Sequence, residues 1–281
     1  MKLKVINVGR WISENEQSFL PPVCNKLMHN DQLKIMYVGG PNIRKDYHIE
    51  EGEELFYMLK GDMILKIVEK GEHKDVLIKE GEIFLLPARI PHSPQRKEDT
   101  VGLVIERERS EVELDILRYF VDNSTDILFE KKFQCANLGT QLAPLIKEFF
   151  NSEPHKTGIP NQDFLIEKMP FKLDQESAVM KPQSLQDALS QCNSDNSLFG
   201  QSKHKNQFEV KVFCAGSSEF QTGPAEHWIW QKSGSSSLKI GNDVMQLLSD
   251  DSILVPPKTS YVWDRGLDGK ALRFICDPER N

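Results

Sequence analysis

Between Leu33 and Glu106 the apolar residues come in short runs divided by glycine and charge: Lys34 to Val38, Leu55 to Leu59, Ile64 to Val68, Val76 to Ile78, Ile83 to Leu86 and Val101 to Ile105. Runs of this length bounded by turn residues predict antiparallel strands. Glu69-Lys70-Gly71-Glu72 and Lys79-Glu80-Gly81-Glu82 place glycine and solvated charge where hairpin turns belong. From Leu138 to Phe150 the period changes. Leu138, Leu142, Leu145, Ile146 and Phe149 share one helical face, which is expected to pack across the strands. Between Glu153 and Gln207, Pro154, Pro160, Pro170 and Pro182 interrupt regular structure, apart from a short helix opened by the capping box Ser184-Leu185-Gln186-Asp187. The strand rhythm then resumes at Phe208 to Cys214, Trp228 to Gln231, Leu238 to Ile240, Val244 to Leu248, Ile253 to Val255 and Leu272 to Cys276.

The second series repeats the first. Leu55 to Gly61 matches Trp228 to Gly234 in its terminal glycine, and Ile83 to Pro87 matches Ser252 to Pro256 in its proline. The glycine-to-proline separations, 26 and 22 residues, differ by the trimming of one hairpin. The reading is a mainly β chain of two jelly-roll-like β-barrels with a partly helical linker, divided at 1–160, 161–180 and 181–281.

Composition narrows the function. A net charge of -7, with 35 basic residues among 42 acidic ones, argues against a nucleic-acid or anionic-membrane surface. No run approaches the roughly 20 apolar residues that cross a bilayer, and Met1 to Arg10 lacks a signal-like apolar core. The five cysteines are scattered and contain no C-x-x-C pair, so neither a disulfide framework nor a thiolate zinc site is expected, and a reducing cytosol fits.

The chemistry gathers in the first copy. His48, Glu50 and Glu54 are separated by even numbers, so on a strand they would share a face. Six residues separate Glu54 from Gly61; five separate Gly81 from Pro87, and four more lead to His92. Taken singly, a histidine beside a turn or a glutamate in an acidic run is an ordinary surface residue. Their joint spacing resembles the two cupin motifs, which bring metal ligands to one point inside a small barrel. The sequence departs from the general cupin pattern at Glu50, where a second histidine is usual, and at Arg89, where a glycine is usual. That leaves His48, Glu54 and His92, a two-histidine, one-carboxylate set with open coordination positions, typical of non-haem iron(II) oxygenases but also compatible with zinc. Arg44 stands four residues before His48 and Arg96 four after His92, each a planar cationic fork suited to a carboxylate or to developing negative charge. Glu106 ends a strand and is followed by Arg107 and Arg109, so a rim salt bridge is its plain alternative.

Pro21 to Met28, Arg44 to Glu54, Leu85 to Arg96 and Leu138 to Pro144, with the second β repeat, resemble the 3-hydroxyanthranilate 3,4-dioxygenase family in its animal, two-cupin form. The resemblance implies Fe(2+) held by His48, Glu54 and His92, dioxygen near Arg44 and Asn25, and 3-hydroxyanthranilate contacted by Arg96 and Glu106. It implies ring opening to 2-amino-3-carboxymuconate semialdehyde, which closes to quinolinate on the kynurenine route to NAD. Aligning the repeats puts Gln221, His227 and Tyr261 at the three ligand positions, so the second copy is read as a degenerate cupin without a metal site. Its apolar residues, Trp228 and Trp230 among them, are expected to bury an interdomain face, and the chain to be a monomer. The rival readings are another metal cupin enzyme and a non-catalytic cupin that binds a ligand.

Overall fold

The structure, a computed structural model, describes residues 3–21, 24–135, 138–199 and 207–277, with 138–140 as backbone only. The chain divides into two compact units: Ser18–Leu27 with Met36–Pro182, and Met1–Gln17 with Met28–Ile35 and Gln183–Asn281. Each unit is a pair of antiparallel sheets enclosing an apolar layer, the jelly-roll-like arrangement that the strand rhythm predicts.

In the first unit, one sheet runs Glu82–Leu86, Glu54–Lys60, Val101–Arg107 and then the strand Leu33–Gly39, which belongs to this unit from Met36 onward. The other runs Ile127–Phe133, Asp115–Phe120, Tyr47–Ile49, His92–Arg96, Met63–Glu69, Glu72–Ile78. Phe56, Met58, Phe84, Leu86 and Val104 from the first sheet meet Met63, Leu65, Ile67, Val76 and Ile78 from the second, every one of them buried. The hairpin Met63–Glu69 to Glu72–Ile78 turns on Lys70 (φ 53°) and Gly71 (φ 84°). Two consecutive left-handed residues give the turn whose twist matches that of the strands it joins.

Helix Leu138–Asn151 lies against Asp115–Phe120 and Ile127–Phe133, with Leu142 and Phe149 buried and Leu145 and Ile146 partly so. That is the expected face, although the Leu138 side chain lies outside the described residues. The Phe149 ring stacks on Tyr119 at 3.5 Å between centroids and meets Phe129 edge-on. Residues 161–180 are more than a connection: Phe171 is buried against Ile49 and Ile116, and Val179 joins the apolar layer between the sheets. Because side chains alternate along a strand, the Phe171 contact backs the strand whose other face carries His48.

The second unit has the sheets Ile6–Asn7, Asp251–Val255, His227–Ser233, Lys270–Cys276, Phe208–Phe213, Asn196–Phe199 and Gly216–Gln221, Ser260–Arg265, Ser236–Ile240, Asp243–Leu247. Its equivalence to the first shows in the backbone. Gly61 and Gly234 take φ of 69° and 65°, and a Cβ on Gly234 would come within 2.6 Å of the Asp268 carbonyl oxygen. Two residues beyond the matched prolines, Arg89 and Lys258 take φ of 64° and 57°. The left-handed turn that usually calls for glycine is therefore kept in both copies with a long side chain in its place. Ser184 caps Leu185–Ser190 by accepting from the Asp187 amide, as the capping box predicts. The cysteine reading needs correction at one point. Cys192 and Cys214 are joined in a disulfide, brought together by the path between Leu185–Ser190 and Phe208–Phe213 and not by any spacing motif.

Trp228 and Trp230 are fully buried; the Trp230 indole donates to Asp250, and Trp228 lies on Phe274. His227 Nδ1 is 2.9 Å from the Tyr261 hydroxyl, and Gln221 is exposed. The positions aligned with the metal ligands thus hold one imidazole–phenol pair, and no three-ligand cluster forms in this unit among the described residues.

Replacing Phe149 by alanine removes a buried ring packed against those of Tyr119, Phe129, Phe150 and His155 and is expected to cost about 3–5 kcal/mol, read from denaturant unfolding. Burial, with Arg273 nearby, pulls the His227 imidazole down to about 3 from its ordinary 6.5. The unfolded chain therefore binds the extra proton first. His227 contributes stability that is present above pH 6.5 and lost as pH falls toward 3. A His227→Gln variant is expected to lose stability less steeply with acid across that window than the parent chain.

Candidate metal centre

Strand pairing assembles the first unit's polar cluster. His48 and His92 are direct partners between Tyr47–Ile49 and His92–Arg96, and their rings meet edge-on at 5.4 Å. In the facing sheet Leu55 pairs with Ile105, which sets Glu54 beside Glu106 at the end of that ladder. The even spacing of His48, Glu50 and Glu54 has a different origin from the one expected. His48 and Glu54 belong to different sheets, and Glu50 lies in the loop between them, so convergence comes from the fold of two sheets and not from one strand face.

His48, Glu50, Glu54, His92, Arg96 and Glu106 are all buried, each 5% exposed or less. His92 Nδ1 is 3.1 Å from the Ile90 carbonyl oxygen, which makes Nδ1 a proton-bearing nitrogen and, in the neutral ring, leaves the lone pair on Nε2. That Nε2 stands 2.8 Å from Glu54 Oε2, yet the approach is not aligned as a hydrogen bond. A nitrogen lone pair and a carboxylate oxygen facing one point fit a shared cation. One oxygen each from Glu50, Glu54 and Glu106 also lies within 4.8 Å of the other two. Of the expected ligands, Glu54 and His92 are thus brought together, and the carboxylates Glu50 and Glu106 converge with Glu54, whereas the Nε2 of His48 is taken by Asp115 at 2.7 Å and no nitrogen of His48 joins that group.

The charges explain the ionisation of the site. Burial raises the Glu54 carboxyl, but His92, His48 and Arg96 hold it below its ordinary range. Burial lowers the His92 imidazole, and Glu54 more than restores it. For Glu50, burial dominates: with Glu106, Asp115 and Glu54 around it, the carboxyl is pushed well up despite Arg109. Burial pulls the Arg96 guanidinium down to about 10, with Arg44 adding to the effect and Glu54 opposing it. Among the described residues Arg96 Nε is buried without a hydrogen-bond partner, a desolvated donor beside the cluster.

Arg44 is held by Asp46, its Nε 3.1 Å from both carboxylate oxygens, while Gln95 bonds its backbone. Burial works against its charge, but Asp46, with Tyr119 and Glu54 in electrostatic reach, raises it further. Asn25 opens the strand Asn25–Asn30 and is half-buried; the thiol of the preceding Cys24 feels the charge of Arg96. Glu106 does bond an arginine, Arg109 at 2.8 Å, but in the interior and not at a rim; Arg107 pairs with Glu113 instead.

Arg109 and Asp115 were not readable as site residues. Arg109 reaches Glu50 at 2.7 Å, Glu106 at 2.8 Å and both Asp115 oxygens at 3.0 and 2.9 Å. The only sequence signal was the acidic and basic alternation after Ile105, which is equally common on a solvated loop.

A family model described as 3-hydroxyanthranilic acid dioxygenase matches residues 1–150. Over 98% of its length the chain is 54% identical to 3-hydroxyanthranilate 3,4-dioxygenase of Mus musculus, covering 97% of that protein. The protein of the same name from Xenopus tropicalis is 56% identical over 92% of this chain and 94% of its own, and that from Homo sapiens 52% over 97% and 96%. A solved cupin 2 conserved barrel domain protein from Leptotrichia buccalis shares the fold at a TM-score of 0.54 and 10% identity, covering 98% of this chain and 97% of that one. The architecture is thus a double cupin, and cupin dioxygenases work with a metal cofactor. With a family match over more than half of the chain and such identity nearly end to end, the chain belongs to the 3-hydroxyanthranilic acid dioxygenase family.

Proposed function

We propose that the chain opens the ring of 3-hydroxyanthranilate with dioxygen, giving 2-amino-3-carboxymuconate semialdehyde, at a site where His48, Glu54 and His92 hold iron(II). The observation that carries the reading is the juxtaposition of two kinds of unspent binding capacity in one buried cluster. Glu54 Oε2 and His92 Nε2 stand 2.8 Å apart, and Arg96 Nε has no hydrogen-bond partner among the described residues. The first suits a cation and the second a carboxylate, the two ends of a substrate that chelates a metal through its phenol and amine.

Two histidines and one carboxylate leave adjacent positions open, so iron(II) bound there supplies joint binding of substrate and dioxygen and the electron transfer that couples them. The chain's own residues orient the reaction. Arg96 takes the ring carboxylate, a charge-assisted contact strengthened by burial, and fixes the ring in the cavity. Glu106, itself fixed by Arg109, supplies a further polar contact. Arg44, braced by Asp46, lies on the dioxygen side with Asn25 and stabilises negative charge that develops as oxygen attacks the ring carbon. The sheets on either side exclude water from the reacting atoms. The product closes to quinolinate, which places the activity in the kynurenine route to NAD.

The same reading makes the chain a cytosolic monomer that engages neither nucleic acid nor membrane. Its acidic balance supports the lack of a nucleic-acid or anionic-membrane partner, while the Cys192–Cys214 disulfide removes the cysteine argument for a reducing cytosol; no helix among the described residues is long and apolar enough to cross a membrane.

Anaerobic reconstitution with iron(II), followed by oxygen uptake and absorbance after adding 3-hydroxyanthranilate, tests the activity. Stoichiometric oxygen loss with a transient muconate-semialdehyde band is expected; bound iron with no turnover would point to a ligand-binding cupin. Arg96→Ala is expected to lower kcat/KM by roughly 10- to 100-fold, mainly through KM, as the loss of a buried charged hydrogen bond of about 1.5–3 kcal/mol implies. Its iron content should stay at the parental level. A variant that lost iron would show Arg96 to be structural.

A further inference from the structure

Glu106 is 2% exposed and stands just past the last pair, Leu55 with Ile105, that joins its strand to Glu54–Lys60. Its side chain is fixed from outside that strand. Beyond Arg107 the chain turns through 108–114 before the strand Asp115–Phe120 opens, and the turn is closed by its own residues. Glu113 accepts from the Ser110 amide at 2.5 Å and pairs with Arg107, while its own amide donates to the Ser110 carbonyl at 3.2 Å. A turn closed in this way brings Arg109 back against Glu106, three residues before it in sequence.

The Arg109 side chain is 9% exposed, and its fork is divided among three carboxylates. Nε lies 3.0 and 2.9 Å from the two oxygens of Asp115, Nη2 lies 2.7 Å from Glu50 Oε2, and Nη1 donates to Glu106 Oε2 at 2.8 Å. Burial works against the guanidinium's charge, but Glu50, Glu106 and Asp115 together raise it well above its ordinary range, so Arg109 remains a cation. A planar fork gripped at two edges has little freedom at the third. Asp115 and Glu50 therefore decide where Nη1 stands, and Nη1 decides where Glu106 Oε2 stands. Among the described residues Oε1 of Glu106 takes no hydrogen bond, which leaves it for a donor entering the cluster.

We propose that Arg109, gripped by Asp115 and Glu50, is a positioning residue for the substrate: by fixing Glu106 Oε2 it sets where Oε1 meets a hydrogen-bond donor of the ring, an amine or a hydroxyl. The proposal rests on the reading of Glu106 as a substrate contact. The plain alternative is a guanidinium that only neutralises buried carboxylates, and such a residue would matter equally whatever stood at position 106.

That difference is measurable in a cycle of Arg109→Lys, Glu106→Gln and the double variant. Each is loaded with iron(II) and titrated anaerobically with 3-hydroxyanthranilate, which reads binding without turnover. Binding is counted per bound iron, so that any loss of metal is read separately. Lysine keeps the charge and loses the fork. Arg109→Lys is expected to weaken binding by about 10- to 50-fold in the parental background and by less than about twofold in the Glu106→Gln background, a coupling of the size that contacting residues show. Arg109→Gln, which keeps a donor and drops the charge, takes the place of the lysine variant in the same cycle if that variant does not fold. An equal loss in both backgrounds, or binding within about twofold of parental in a folded Arg109→Lys variant, would overturn the proposal. Parental binding by Glu106→Gln would instead remove the premise that Glu106 is a substrate contact. Absence of 3-hydroxyanthranilate binding by the parental protein would overturn the function on which both rest.

Discussion

Four carboxylates, Glu50, Glu54, Glu106 and Asp115, lie between two apolar sheets, each 5% exposed or less, and every one needs opposite charge within reach. Leaving one such charge without its partner costs about 3–5 kcal/mol. Arg109 meets three of the four, and His92 and Arg96 face the other. The cluster is not self-sufficient. Among the described residues, an oxygen of Glu50, an oxygen of Glu54 and a nitrogen of Arg96 remain buried without hydrogen bonds. Carboxylates converging beside this guanidinium are the features on which the proposed metal and substrate contacts rest.

The scaffold around this cluster is arranged to keep it rigid and dry. His48 and His92 are neighbours across one ladder, and Glu54 and Glu106 stand side by side at the end of another. Side chains mounted on paired strands are held by backbone hydrogen bonds and by the packing of residues on the opposite face. Phe171, from the long segment after the helices, packs on Ile49 and Ile116 behind the His48 strand. That segment has little regular secondary structure, but it covers apolar surface of its own unit.

The second unit shows how little of this chemistry the fold requires. It keeps the two sheets, the left-handed glycine at 234 and the left-handed residue after Pro256, all features of backbone geometry. Where the first unit places two histidines and a glutamate, it has an exposed Gln221 and a buried His227–Tyr261 pair whose histidine stays neutral over the ordinary pH range. Phe213, Trp263 and Tyr261 occupy its interior together with aliphatic residues. One architecture thus carries a polar, incomplete interior and a filled one, decided by a handful of inward-facing side chains.

The sequence alone determined the strand rhythm, the hairpin glycines, the Leu138–Asn151 helix face, the Ser184 cap and the internal repeat, because these depend on local sterics and on the period of apolar residues. It also singled out His48, Glu54, His92, Arg44, Arg96 and Glu106, since the cupin spacing is rigid enough to be recognised along the chain. Short polar strands such as Tyr47–Ile49, His92–Arg96 and Gly216–Gln221 were not legible, because their pairing and not their composition makes them strands. Nor were the partners. That Asp46 braces Arg44, that Asp115 meets His48, that Arg109 lies amid three carboxylates and that Cys192 reaches Cys214 follow from strand order and sheet closure. These are contacts between segments with no fixed separation in sequence, and only tertiary structure decides them.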